Sequence, residues 1–179
     1  NMPPEDALML TIIAAVSVVQ AIDGVCGKNC DIKWVNDIFY KGKKVCGILT
    51  EAGLGNNSCN IKYAVLGIGI NIFKSKEGFP GKLSEIAGAL YEDCEFNKQA
   101  ELIGEIVNRF FDYYKNYHNK NYLREYRKKL ILIGKTITYT KNDEKRFAEV
   151  VDIDDAARLI VRENGMESTL CSDTCIVSK

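Results

Sequence analysis

The first half of the chain divides by its hydrophobic pattern into one long helix and a set of strands. A helix is predicted over residues 3–22, because Pro4, Glu5 and Asp6 suit a first helical turn. Its body, residues 7–22, is apolar on nearly all sides, which indicates that the helix is buried. Residues 31–72 carry short β-type runs, and their connections are too short for helical crossovers, which predicts a largely antiparallel sheet. The predicted strands are 31–35, 38–40, 45–51 and 61–72.

The second half predicts helices followed by a small all-β unit. We expect a short helix over residues 83–90 and a longer helical stretch over 97–132, with a break near 119–121. From Gly134 the pattern changes to five short strands with polar turns, including the hairpin dipeptide Asn164-Gly165, which favours a small barrel. The fold class is therefore α/β (α+β): a mixed, largely antiparallel sheet flanked by helices in residues 1–133, then a small β-barrel in 134–179.

Composition and charge narrow the function only slightly. The chain has 24 basic and 24 acidic residues, so its net charge indicates neither nucleic acid nor a membrane as a partner. Residues 115–146 hold ten Lys/Arg against three Asp/Glu, whereas 147–179 hold three against seven, so these segments are expected to attract each other. No apolar stretch is expected to approach the ~20 residues that span a bilayer.

Cysteine usage suggests a reducing compartment. The number of cysteines, seven, is odd and no signal peptide is visible, which favours free thiols and a cytoplasmic location. The pairs Cys26/Cys30 and Cys171/Cys175 have the wrong spacing for a typical zinc site, so the sequence predicts no metal ligands.

Three motifs carry the candidate chemistry. They are Lys33-Trp34-Val35-Asn36-Asp37, then Lys44-Val45-Cys46-Gly47-Ile48-Leu49-Thr50-Glu51, then Gly67-Ile68-Gly69-Ile70-Asn71. Lysines in such a setting suit a ligand with carboxylate or phosphate charge, and glycine within a strand marks a bulge or a close backbone approach. Taken singly, each feature also has a structural explanation: surface lysines, a core tryptophan, a simple bulge and a turn asparagine.

Together, in this order and spacing, the motifs resemble those of the biotin protein ligases, and the similarity extends over nearly the whole chain. The resemblance implies the class II aminoacyl-tRNA synthetase/biotin ligase fold with an SH3-like C-terminal domain. The family usually has proline where this chain has Val35, and valine can adopt the extended backbone that proline enforces.

The resemblance also implies roles for individual residues. Lys44 would bridge the biotin carboxylate and the α-phosphate of ATP, Lys33 would add positive potential, and Asp37 would orient Lys44 or help deprotonate the acceptor amine. Other residues would bind the substrates. Asn36 and Asn71 would line the nucleotide pocket, Gly47, Gly67 and Gly69 would let the backbone approach the biotin tail, and Leu49 and Ile68 would contact substrate or nucleotide.

The implied small molecules are biotin and ATP, with Mg²⁺ on the triphosphate. The implied partner is the biotin carboxyl carrier protein of acetyl-CoA carboxylase. A homodimer formed through the sheet of residues 31–72 is a further expectation.

The family's glycine- and arginine-rich loop is not found in these residues. We expect it before residue 1, together with the groups that hold the biotin ureido ring, so these residues alone are expected to be inactive. The family often carries an N-terminal DNA-binding domain, and DNA is expected as a partner only if such a domain precedes residue 1. The alternatives are a lipoate ligase-like enzyme with the same acyl-adenylate chemistry, and a non-enzymatic regulator that responds to biotin.

Overall fold

A computed structural model describes residues 2–54, 60–93, 97–141, 143–172 and 176–178. The first sheet contains four antiparallel strands in chain order, so the predicted meander is confirmed. Its strands are β1 (Asp31–Lys33), β2 (Asp37–Tyr40), β3 (Lys43–Leu54) and β4 (Ile61–Ile70).

The first helix packs against this sheet, and the third helix packs against the first. The helices are α1 (Ala7–Cys26), α2 (Leu83–Ile86), α3 (Gln99–Lys115) and α4 (Asn121–Lys129). The predicted break between the last two is present as a 3₁₀ turn over Tyr117–Asn119. Helix α2 is shorter than predicted because Ala87 leaves the helix and forms a bridge with Lys44 of β3, so tertiary pairing overrides local propensity.

Helix α1 is the central element of the core. It contains 20 residues, and those from Met9 to Val19 are all buried. The expectation that no apolar stretch reaches spanning length is therefore wrong, because α1 is long and apolar enough to cross a membrane. Its apolar surface contacts α3, α4 and β3 within this structure, as in the core helix of a globular domain.

The second sheet has five antiparallel strands in the spatial order β8-β7-β6-β5-β9. The predicted Asn164-Gly165 hairpin is present, and both residues have the positive φ angles, 51° and 80°, of a tight turn. The described residues show no pairing that closes the sheet, so the SH3-like barrel stays a prediction, as does the domain boundary at 133/134. The strands are β5 (Thr136–Lys141), β6 (Glu144–Ile153), β7 (Leu159–Glu163), β8 (Met166–Leu170) and β9 (Ile176–Ser178).

The turn after β1 connects the two sheets. Trp34 is buried, and its indole Nε1 donates a hydrogen bond to the backbone oxygen of Ala157, 2.8 Å away. The Trp34–Val35 peptide bond is cis, and the Val35 oxygen accepts a 2.9 Å bond from the Tyr126 hydroxyl of α4. Trp34 therefore anchors the core rather than forming a stacking surface.

The basic and acidic segments meet at one residue of α4. The Arg127 guanidinium lies 3.2 Å from Asp152 and 3.8 Å from Asp155, and it donates to the backbone oxygen of Ile153 at 2.9 Å. The expected electrostatic contact is present there. Because these carboxylates are partly exposed, the apolar core and the Trp34 bond hold the second sheet more strongly than the charges do.

Two cysteines are fully enclosed. Burial, followed by the nearby carboxylates Asp31 and Asp37, raises the pKa of Cys30 and Cys46, each from 9.0 to about 12. Within the described part of the chain, no cluster of three His, Cys, Asp or Glu residues could hold a metal ion. Cys175, half of the considered zinc pair, lies outside the described residues.

Replacing Trp34 with phenylalanine should destabilise the protein by about 1–3 kcal/mol, because it leaves the buried Ala157 oxygen without a donor. Urea unfolding of both proteins measures the loss. Tyr63→Phe is the matched control, since that side chain is 60% exposed and should change stability by less than about 0.5 kcal/mol. Equal stabilities for Trp34→Phe and the parent protein would show that this bond does not hold the sheets together.

Cys30 and Cys46 should resist alkylation at pH 8 in the folded protein. A pKa of about 12 makes the thiolate fraction about 1,000-fold smaller than at the ordinary value of 9.0. Because folding favours the protonated thiols, their contribution to stability is complete below pH 9 and is lost as the pH rises toward 12. Iodoacetamide labelling before and after unfolding, read by peptide mass, checks this; equal native and unfolded labelling rates would refute it.

Candidate functional site

An open pocket of about 550 Å³ lies on the outer face of the first sheet. It gathers eight of the predicted site residues at one place, although they come from three separate motifs. The lining residues are Asn36, Asp37, Lys44, Gly47, Ile48, Leu49, Gly67, Ile68 and Gly69.

The pocket floor consists largely of bare backbone. Gly47 of β3 pairs directly with Gly69 of β4, and the neighbouring pair on this face is Leu49 with Gly67. A Cβ atom at Gly67 or Gly69 would meet nothing closer than 3.9 Å, so the fold itself would tolerate a methyl group there. These glycines are therefore not required by packing, and their effect is to leave a flat groove beside the Leu49 side chain, which is 62% exposed.

One ion pair stands at the end of this groove. The Lys44 ammonium lies 2.5 Å from the carboxylate of Asp37, with side chains that are 39% and 26% exposed. Lys44 is the only cation and Asp37 the only anion among the described lining residues. Because both remain open to solvent, a ligand can reach the ammonium without first breaking the pair.

A β-bulge turns Lys44 toward the pocket. Asp37 pairs with Gly47 and Ile38 with Cys46, but Phe39 then pairs with Lys44 rather than with Val45. Strict alternation over three residues would place Lys44 and Gly47 on opposite faces of β3. The extra residue reverses this, so a Cβ at Gly47 would lie 3.4 Å from the Lys44 Nζ.

Asn36 fastens the turn of residues 34–36 to the pocket floor. Its side-chain Nδ2 donates to the Ile48 oxygen at 2.6 Å, and the Ile48 nitrogen donates to the Asn36 oxygen at 3.0 Å. These reciprocal bonds fix the start of β2, where Asp37 is located. Asn36 therefore lines the pocket and also positions its neighbour.

The groups beneath the ion pair remain neutral near pH 7. Burial, and then the negative charge of Asp37, raises the pKa of the Cys46 thiol to about 12. Burial followed by Asp37 also raises the pKa of Tyr126 well above 10. Neither group therefore supplies a negative charge that would compete with Asp37 or a ligand for the Lys44 ammonium.

Two predicted residues lie outside the pocket lining. Lys33 pairs with Asp37 across the β1–β2 hairpin and projects from the same face, but it does not line the cavity. The Asn71 side chain donates to the Gly88 oxygen at 3.0 Å, so it joins β4 to the segment after α2 instead of facing the groove.

Sequence reasoning missed the role of that segment. The Gly88 nitrogen donates to the Lys44 oxygen at 2.8 Å, and the Leu90 nitrogen donates to the Asn71 oxygen at 2.9 Å. Residues 87–90 thus lie alongside Lys44 of β3 and Asn71, joined to them by backbone hydrogen bonds. Ala87-Gly88-Ala89 gave no sign of this, because the run reads as the end of a helix.

The chain is similar to known proteins in sequence. Residues 1–71 match the model of the biotin/lipoate A/B protein ligase family. The chain is 37% identical over 118 residues to the bifunctional ligase/repressor BirA of Bacillus spizizenii, which is 65% of this chain and 36% of that protein. It is 34% identical over 68 residues to the biotin–[acetyl-CoA-carboxylase] ligase of Paracoccus denitrificans, which is 37% of this chain and 28% of that one. The matches thus span about a third of these curated relatives.

Solved structures agree in fold. The apo biotin protein ligase of Aquifex aeolicus superposes with a TM-score of 0.80 at 20% identity, covering 98% of this chain and 77% of that one. The same ligase in complex with biotin and ATP gives 0.78 at 20% identity, covering 96% and 72%. At this identity the similarity establishes the fold alone.

The family match covers all three motifs that line or support the pocket, and the fold similarity extends over almost the whole chain. In both sequence and fold, this chain resembles the biotin protein ligases.

Proposed function

We propose that the whole protein joins biotin to a lysine of a biotin carboxyl carrier protein, using ATP and passing through biotinyl-5′-AMP. The observation that carries the proposal is the Lys44–Asp37 pair at the end of a groove floored by Gly47, Gly67 and Gly69. A flat apolar groove that ends at one cation fits a ligand with an apolar chain and a terminal carboxylate.

The first step is the activation of the carboxylate. A biotin carboxylate oxygen attacks the α-phosphorus of ATP, the bond to the β-phosphate oxygen breaks, and pyrophosphate leaves. Two anions must approach each other, so a fixed cation between them lowers the barrier. Lys44 is suited to this position. Its ammonium has three donors and Asp37 occupies only one of them, so two remain for the carboxylate and the phosphate. Lys33 adds positive potential from the neighbouring strand.

The second step transfers the acyl group. The ε-amine of the acceptor lysine attacks the biotinyl carbonyl carbon, an amide bond forms, and AMP leaves. The attacking amine must lose a proton, and Asp37 is the carboxylate within reach of this centre. In its pair with Lys44, the same carboxylate also fixes the direction of the ammonium.

Mg²⁺ is expected to bind together with the nucleotide. The described residues hold no cluster of three His, Cys, Asp or Glu side chains, and the pocket's carboxylate, Asp37, is paired with Lys44. These residues do not fit a resident metal. The ion would therefore arrive on the ATP phosphates, which is a common way for proteins to bind Mg²⁺.

The acceptor, the location and the oligomeric state belong to the same proposal. The name of the Paracoccus denitrificans relative supports acetyl-CoA carboxylase as the acceptor's enzyme. A cytoplasmic location and pairing through the sheet of residues 31–72 stay predictions. The described sheet has β1 and β4 at its two edges, where such pairing would occur.

The substrate acid is tested directly by pyrophosphate release from ATP. We expect release by the full-length protein that depends on biotin, followed by transfer to the carrier protein. Because the matching family model also includes lipoate ligases, lipoate is the informative comparison. Release with lipoate but not biotin would favour the lipoate alternative, and biotin binding without release would favour a regulator.

Lys44→Ala should slow adenylate formation in the full-length protein by about 100- to 1,000-fold, because it removes a donor from developing negative charge. Lys43→Ala is the matched control. Its ammonium bonds the backbone oxygens of Ser84 and Glu85 at 3.3 and 2.5 Å, away from the pocket. Pyrophosphate release measures both variants, and equal losses would refute the role of Lys44.

Gly67→Ala and Gly69→Ala should separate folding from binding. Each added methyl group has 3.9 Å of space within the protein, so thermal stability should be unchanged or slightly higher. The same methyl group would project into the groove and raise the KM for biotin by about tenfold or more, since it occupies space next to the ligand. Melting curves and pyrophosphate release on the same samples check this. An unchanged KM would show that the groove does not hold biotin.

A further inference from the structure

A second cavity, of about 650 Å³, opens beside the turn between β2 and β3. It shares no described lining residue with the pocket that contains Lys44. Its walls come from the segment after α1, from the β2–β3 turn and from residues 74–92, and we name it the hairpin cavity. Its charged lining residues are four lysines and two glutamates: Lys28, Lys41, Lys43, Lys74, Glu77 and Glu92.

We infer that the hairpin cavity binds a small organic phosphate, with the phosphate group at Lys28 and Lys41. Neither lysine has a carboxylate within 4.0 Å among the described residues. The other two lysines are already engaged, because Lys74 pairs with Glu92 at 2.9 Å and the Lys43 ammonium donates to two backbone oxygens of α2. A cleft with an excess of one charge concentrates ligands of the opposite charge, so the hairpin cavity favours an anion.

Aromatic rings hold the two ammoniums without neutralising them. The Lys28 ammonium lies 4.2 Å from the ring centroid of Tyr91 and 5.3 Å from that of Tyr40. The Lys41 ammonium lies 5.3 Å from the same Tyr40 centroid. A ring face attracts a cation but leaves N–H groups of the ammonium for an oxygen acceptor. Both lysines are therefore positioned around one ring, where the oxygens of a single phosphate can accept from both.

The turn carries Lys41 at a position that disfavours lysine. Lys41 and Gly42 have φ angles of 50° and 76°, the two positive values that a type I′ hairpin turn requires. Asparagine, aspartate or glycine is usual at the first of these positions, because other side chains are strained there. The printed contact of the Lys41 ammonium is with the Tyr40 ring, so the strained position serves to present a charge at the cavity.

The size and the remaining lining of the cavity indicate what carries the phosphate. A volume of about 650 Å³ is far larger than a lone phosphate ion and is typical of pockets that hold small organic molecules. Phe79, Leu90, Ala87 and Ala89 provide apolar wall next to the two tyrosine rings. Because Glu77 also lines the cavity, one phosphate group is favoured over a polyphosphate chain. The ligand class is thus a phosphate monoester with a flat apolar body.

Titration calorimetry of the full-length protein with phenyl phosphate tests the inference, in a phosphate-free buffer of low ionic strength. We expect saturable binding that is about tenfold or more tighter than that of inorganic phosphate, which lacks the apolar body. Lys28→Gln and Lys41→Asn should each weaken binding by about tenfold, because each removes a charged donor. Lys41→Asn should also keep or raise the melting temperature, since asparagine suits the turn, so its loss of binding cannot come from unfolding.

Lys76→Gln is the matched control, because this exposed lysine belongs to the same segment but does not line the cavity. Binding that weakens in the Lys28 and Lys41 variants and is kept in Lys76→Gln and Lys44→Ala supports the inference. Absence of saturable binding to the parent protein overturns it, as does an equal loss in Lys76→Gln, which indicates general charge attraction. Loss in Lys44→Ala with retention in Lys28→Gln would place the phosphate in the other pocket. Equal affinities for phenyl phosphate and inorganic phosphate would refute the organic ligand.

Discussion

The position of the Lys44 ammonium depends on one irregularity in the pairing of β2 with β3. Without the extra residue at Val45, the alternation of β3 would send Lys44 to the face opposite Gly47 and Asp37. With it, the ammonium and the carboxylate meet at 2.5 Å beside the glycine floor. The bulge also leaves Val45 and Cys46 both buried, so the core holds the irregular pairing in place.

The other half of the ion pair depends on the turn between β1 and β2. Three neighbouring elements hold this turn: the second sheet through Trp34, α4 through Val35, and β3 through Asn36. Asp37 follows directly and takes its place from them. The second sheet therefore influences the site at a distance, by fixing the anchor of the turn rather than by adding groups to the pocket.

The sequence predicted the elements and most of the pocket, because its motifs combine local signals with fixed spacing. The glycines of β3 and β4 indicated a close approach, and pairing brings them together on one face. The Asn71 side chain bonds Gly88, a partner 17 positions away that no local pattern reveals, and its binding of nucleotide stays a prediction. The early end of α2 and the bulge at Val45 have the same origin, since both follow from contacts between segments distant in sequence. No apolar stretch was expected to be long enough to span a bilayer, yet α1 is, because a buried core helix and a membrane helix can have the same composition.

The proposed mode of binding places the apolar tail of an acid on the glycine floor while its carboxylate meets Lys44. A crystal structure of the full-length protein with a non-hydrolysable biotinyl-adenylate analogue tests it most directly. We expect the acyl-phosphate group within hydrogen-bonding distance, about 3 Å, of the Lys44 ammonium, with the tail over Gly67 and Gly69. An analogue bound elsewhere, with Lys44 still joined only to Asp37, would contradict it.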